Sequence, residues 1–161
     1  MSEEETAQTL LQDQFPFLAG KISIQRARRI WAEVPAESVR QVFDFAVDRL
    51  KFNQLCTITG LDEGENLAVI YHLAREIGAT LNLHTVVPKA NPVLYTVSDR
   101  FPAADCYERE LVDLLGFKVE GLPPGHRYPL PDNWPAGQFP LRKDWDAAIL
   151  EGIPDKESDN A

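Results

Sequence analysis

Residues 54–87 read QLCTITGLDEGENLAVIYHLAREIGATLNLHTVV, and the architecture turns on how this stretch folds. Residues 54–61 read as a buried strand, and Asp62-Glu63-Gly64-Glu65-Asn66 as a turn. Leu67, Val69, Tyr71 and Leu73 then alternate with Ala68, Ile70, His72 and Ala74, which is the period of a strand. A helix competes for residues 67–77, with Arg75-Glu76 as its end, but the alternation favours a strand. Gly78 supplies a turn, and residues 79–87 form another strand.

Toward the N-terminus, residues 3–14 make a short acidic helix that ends at Phe15-Pro16-Phe17. Pro16 lacks an N–H and restricts the residue before it. Residues 21–25 and 29–34 read as short strands. Over residues 36–50, Val39, Val42, Phe43, Ala46 and Leu50 recur at helical spacing, opposite Arg40, Asp44, Asp48 and Arg49. Pro35 stands where a first helical turn tolerates it. Toward the C-terminus, residues 88–92 are a loop and residues 93–98 a last short strand. Residues 103–115 form a second helix, with Gly116 at its C′ position and an apolar stripe of Ala104, Tyr107, Leu111, Leu114 and Leu115.

Helices and strands mix without strict βαβ alternation. The expected fold is therefore α+β: a two-layer domain with a mixed sheet covered by helices. Six of the twelve prolines fall between Gly121 and Pro140, so the compact part ends near Phe117 and an extended Pro-rich C-terminal arm follows. The division expected is a helical segment at 1–19, an α+β domain at 20–120, the arm at 121–146 and a polar, frayed tail at 147–161.

The 161 residues fit one domain. With 16 Lys+Arg against 25 Asp+Glu the net charge is −9, which argues against broad nucleic-acid binding and against adsorption on an anionic membrane. Cys56 and Cys106 form no CxxC, so neither a disulfide framework nor a cysteine-held cluster is expected. The acidic N-terminus is no signal peptide, and no apolar run approaches the ~20 residues of a membrane span. A cytoplasmic chain with no direct membrane span is expected.

The helix at 103–115 gathers Asp105, Glu108, Arg109, Glu110 and Asp113. Arg109 and Asp113, four apart, can pair along one face. Three readings compete: a solvated face, a docking surface, and an acid/base site built on Glu108, Glu110 and His126. The acid/base site needs a cleft that the sequence does not show. His72 and His84 lie in strands without metal-binding spacing, His126 sits in a turn, and Cys106 reads as a small buried thiol. No phosphate-cradling glycine motif occurs. No catalytic, cofactor or metal residue is expected in this chain. The arm, GLPPGHRYPLPDNWPAGQFPLRKDWD, spaces Tyr128, Trp134, Phe139 and Trp145 as anchors, with Arg127, Arg142 and Lys143 as local cations. Such side chains either dock on a partner or wrap their own domain.

Helix and arm together resemble the NADH-quinone oxidoreductase component known as the complex I 30-kDa family. That family's helix motif stands as Glu108-Arg109-Glu110-Leu111-Val112-Asp113-Leu114-Leu115-Gly116, and its closing motif as Pro140-Leu141-Arg142-Lys143-Asp144. Gly121, Pro123, Arg127, Leu130, Pro131, Asp132 and Trp134 fall on the pattern between them. Leu122, His126, Pro129 and the longer stretch at 134–139 depart from the respiratory form. They look like the homologous subunits of membrane-bound [NiFe] hydrogenases of the Ech, CO-induced and formate-hydrogenlyase types. The resemblance implies a cofactor-free brace. Its partners would be a large catalytic subunit and a small iron–sulfur subunit, which would hold the [NiFe] site and the clusters. Glu108, Arg109, Glu110, Asp113, Arg127, Trp134 and residues 140–144 would dock it at the inner face of the membrane. A quinone-reducing complex is the nearer alternative, and a free-standing acid/base enzyme the more distant one.

Overall fold

A computed structural model describes residues 2–76 and 78–151. Helix α1 (Glu3–Gln14) opens with a capping box: Ser2 Oγ accepts from the Glu5 amide, and the Glu5 carboxylate accepts from the Ser2 amide. Strands β1 (Ile22–Arg26) and β2 (Arg29–Glu33) form a hairpin. Helix α2 (Val39–Asp48) follows a 3₁₀ turn at Ala36–Ser38. Strands β3 (Gln54–Asp62), β4 (Asn66–Ala74) and β5 (Thr80–Pro88) are each nine residues long, so the strand reading of residues 67–74 is correct and the competing helix is absent.

The five strands order as β1-β2-β5-β4-β3. Only β2 and β5 run parallel; the other neighbours are antiparallel, so the sheet is mixed as expected. One face carries the core. Leu67, Val69, Tyr71 and Leu73 of β4 join Leu81 and Leu83 of β5, Ile30 and Ala32 of β2, and the apolar stripes of α1 and α2. Val39, Val42, Phe43, Ala46 and Leu50 are all buried there, and the Phe43 ring meets Tyr71 edge-on at 5.6 Å. The other face carries Trp31 stacked on His84 at 5.4 Å, and His72 bonded to both Thr59 and Asn82.

The second sheet is small. Strand β6 (Val93–Tyr95) pairs in parallel with β7 (Lys118–Glu120), and helix α3 (Ala104–Leu115) lies between them in sequence. The expected strand at 93–98 stops at Tyr95, because Thr96 Oγ1 and the Val97 amide turn inward to the Glu108 carboxylate. Strand β7 is invisible to periodicity at three residues. Ala147–Leu150, expected as frayed tail, forms a 3₁₀ turn begun by Asp146; residues 152–161 of that tail lie outside the described residues.

Gly60 sets how closely α3 approaches β3. A Cβ there would come within 2.5 Å of both Leu111 Cδ2 and Leu115 Cδ1. Both leucines are themselves buried, so neither can move aside freely. Gly60→Ala should destabilise the chain by about 1–3 kcal/mol through overpacking, read by urea denaturation. Leu111→Ala in the same chain should recover part of that loss.

Candidate functional site

The acidic helix does not present a solvated face. Glu108 is 2% exposed and Asp113 is 6% exposed. Glu108 accepts from Thr96 Oγ1 at 2.5 Å and the Val97 amide at 2.7 Å, which fixes the β6–α3 connection. Burial is the main influence on Glu108 and pushes its carboxyl up; the two hydrogen bonds oppose that. The expected Arg109–Asp113 pair is also absent. Arg109 instead binds Asp105 through Nε and Nη2, both at 2.9 Å, and donates to the carbonyls of Pro123 and His126. Asp113 is thereby left for the arm. It accepts Arg127 Nε at 3.0 Å and the Leu130 amide at 3.1 Å.

The arm lies along α3 and over its end. Gly116 stands at φ 76°, and the Phe117 and Gly116 amides reach back to Leu111 and Val112, closing a Schellman turn. A Cβ on Gly116 would meet the Phe139 ring at 2.6 Å and Arg142 Nη2 at 2.8 Å. The last carbonyls of the helix have no partner within it. The Leu141 amide donates to Leu114 O at 3.0 Å, and Arg142 Nε donates to Leu115 O at 2.7 Å. Arg142 stacks on Phe139, 4.6 Å from the ring centroid. Beyond it, the Lys143 amide donates to Asp62 Oδ2 at 2.8 Å, and Lys89 bridges Asp62 and Asp144 at 2.8 and 2.9 Å. Trp134 donates to Gln138 O and stands 6.1 Å from Trp145, while Arg127 Nη1 holds the Trp134 carbonyl.

Each expected docking residue therefore has a definite place. Asp113, Arg127, Trp134, Arg142, Lys143 and Asp144 make the clasp, Arg109 ties down its start, and Glu108 sits beneath the neighbouring loop. Glu110 is half-buried, and Pro140 leads the arm over the helix end. Leu141 keeps its side chain in solvent at 57% exposure. Sequence reasoning missed Asp62 and Lys89, since a turn acid and a loop lysine 27 residues apart carry no signal of a shared partner.

The acid/base constellation does not assemble. A 670 Å³ cleft between α3 and the arm is lined by His126, Cys106, Asp105 and Arg109, and neither Glu108 nor Glu110 reaches it. His126 is not in a turn there; its carbonyl is a strap point for Arg109. Cys106 is exposed rather than buried. Among the described residues no cluster of His, Cys, Asp or Glu is placed to hold a metal ion, and no helix is long and apolar enough to cross a membrane.

An α+β domain that clamps its own Pro-rich arm onto an acidic helix defines a class of protein, and sequence comparison specifies it. The model of the family described as "Respiratory-chain NADH dehydrogenase, 30 Kd subunit" matches residues 32–149, and the chain belongs to that family. It is 28% identical to the beta subunit of the membrane-bound hydrogenase of Pyrococcus furiosus, covering 100% of this chain and 94% of the relative. It is 29% identical to the C subunit of the F(420)H(2) dehydrogenase of Methanosarcina mazei, covering 93% of each. A chain in the structure of the membrane-bound sulfane sulfur reductase, an archaeal respiratory membrane complex, superposes with a TM-score of 0.80 at 25% identity over 99% of both. The resemblance to both hydrogenase and complex I branches thus stands.

Two changes test the clasp. Asp113→Ala leaves Arg127 Nε and the Leu130 amide without their acceptor, and should cost about 1–3 kcal/mol and speed tryptic cleavage at Arg127. Asp62 provides the pH test. Burial opposes its ionisation, but the Lys89 ammonium and the Lys143 and Gly64 amides prevail and hold it at about 2. Its folded value lies below the ordinary ~3.9, so its stabilisation is complete above that value and is lost as pH falls toward 2. Tryptophan emission should shift over that window, and Asp62→Asn should abolish the step. Glu108 runs the other way: its carboxyl is raised, so its share of stability falls as pH rises through the raised value.

Proposed function

We propose that this chain is a structural and assembly subunit of the hydrophilic arm of a complex-I-related membrane-bound [NiFe] hydrogenase. It braces the large catalytic subunit, next to the small iron–sulfur subunit, for electron transfer coupled to ion translocation. The chain carries no redox centre; the [NiFe] site and the clusters reside in its partners, and the complex keeps it at the inner face of the membrane.

The observation that carries this reading is the finish of the clasped arm. Its backbone and cations are bonded inward to α3 and Asp62, while Tyr128, Leu141 and Ile149 remain 46%, 57% and 50% exposed. A fixed arm bearing outward apolar side chains is preorganised for a partner, since its ordering entropy is spent on folding rather than on docking. Electron transfer between subunits needs such fixed geometry. The end-to-end match to a hydrogenase subunit supports the choice of complex. The similar identity to a component of an F(420)H(2) dehydrogenase favours a second reading, the equivalent component of a donor:quinone oxidoreductase.

Purification from native membranes through a tag on this chain, with subunits identified and nickel measured, separates the two. Stoichiometric nickel supports the hydrogenase; an intact complex without nickel supports the quinone-linked enzyme; a chain recovered alone defeats both. Leu141→Asp should leave the chain's own stability unchanged to within about 0.5 kcal/mol and sharply reduce co-purification, because Leu141 is solvent-facing in the free chain. Deleting residues 121–146 should leave the domain folded and unassembled, since among the described residues no core member lies beyond Phe117.

A further inference from the structure

The end of the sheet opposite the arm also has a built concavity. A pocket of about 490 Å³ opens between α1, the link from α2 to β3, and the turn after β4. Its cations are Arg49, Lys51 and Arg75, against one acid, Glu76, in a chain of net charge −9. Its apolar wall is Ala7, Leu10 and Leu50, of which Leu10 is 44% exposed. Arg75 is the least expected of these. Its side chain is 14% exposed, its guanidinium lies 5.0 Å from the centre of the Phe52 ring, and its Nε is buried without an acceptor among the described residues. Glu3, which pairs with it at 2.9 Å, is itself 62% exposed. Arg49 and Lys51 have a local role at the C-terminus of α2, where Lys51 Nζ donates to the Asp48 carbonyl at 2.7 Å. Arg75 stands at no helix end, so three cations around one apolar pocket exceed what capping requires.

We infer that this pocket is a second docking point, which takes an acidic segment of a partner subunit with an aliphatic residue beside its carboxylate. The inference rests on the reading of the chain as a subunit. Charge complementarity selects the carboxylate, and the wall of Ala7, Leu10 and Leu50 selects an aliphatic neighbour. A polyphosphate is disfavoured: the pocket has no helix N-terminus or glycine nest, and the carbonyls closing α2 point toward it. Position gives the site its use. The pocket adjoins Asn53 and Arg75, whereas the arm is clamped at Asp62 and Lys89. The nine residues of β3 separate the two ends by roughly 27 Å at about 3.4 Å per residue. A brace held at one point can pivot; one held at two points that far apart cannot.

The test uses the complex isolated from native membranes. Carbodiimide joins an amine directly to a carboxylate, and peptide mass spectrometry should find Lys51 joined to an Asp or Glu of another subunit. The pair Arg49→Glu and Lys51→Glu should release the chain at a NaCl concentration about two-fold lower, with Lys51→Gln intermediate and the melting of the free chain unchanged. An intact complex in which Lys51 joins only its own chain, or in which salt tolerance is unaltered, overturns the pocket while leaving the brace standing. A chain recovered without any partner overturns both.

Discussion

The last turn of α3 ends in carbonyls that the helix cannot satisfy, and the C-terminal third of the chain is arranged around supplying their donors. The Leu141 amide and Arg142 Nε do so directly. Everything next to them serves that contact. Gly116 clears space for Phe139 and Arg142, Asp113 collects Arg127 and Leu130, and Asp62 receives the Lys143 amide. The irregular segment at 121–146 acquires one position because a regular element next to it is incomplete.

Three buried carboxylates do comparable work in different places. Glu108 holds the loop before α3, Asp113 the middle of the arm, and Asp62 its end. Each accepts a backbone N–H that would otherwise be left unpaired in a poorly hydrated site, where the penalty for an unmade bond is greatest. Their electrostatic settings differ. Asp62 has the Lys89 ammonium beside it and is held acidic, whereas burial pushes Glu108 up and Asp105 and Asp99 add to that push. The same residue chemistry thus gives a clamp that acid releases and a loop tie that acid favours.

The sequence made the five-stranded sheet and the two longer amphipathic helices legible, because strand alternation at 67–74 and helical spacing at 39–50 are strong signals of local period. It did not show β7, which is too short for periodicity, or its parallel pairing with β6. The charged face of α3 was readable as residue types and unreadable as burial. Spacing offers Arg109 and Asp113 to each other, yet Asp105 is also four residues from Arg109 and wins it. That choice is settled by the arm, which brings Arg127 to Asp113 from 14 residues away. Cys106 misled for the same reason: the arm stands off from it and leaves a cleft. Family resemblance identified residues 140–144 as a unit, and the structure gives the unit its physical meaning as a helix cap followed by a salt-bridged anchor.

The order of these parts along the chain has a consequence for biosynthesis. The receptor for the arm, α3 with the β3–β4 turn, leaves the ribosome before the arm does, and domains begin to fold as they emerge. Residues 139–144 can seat only on a helix end already formed, so seating is the closing event of maturation. A nascent or truncated product shows a bare helix terminus and an uncovered Gly116. Completeness of translation is thereby written on the surface that a quality-control factor, or a neighbouring protein of the assembly, would touch.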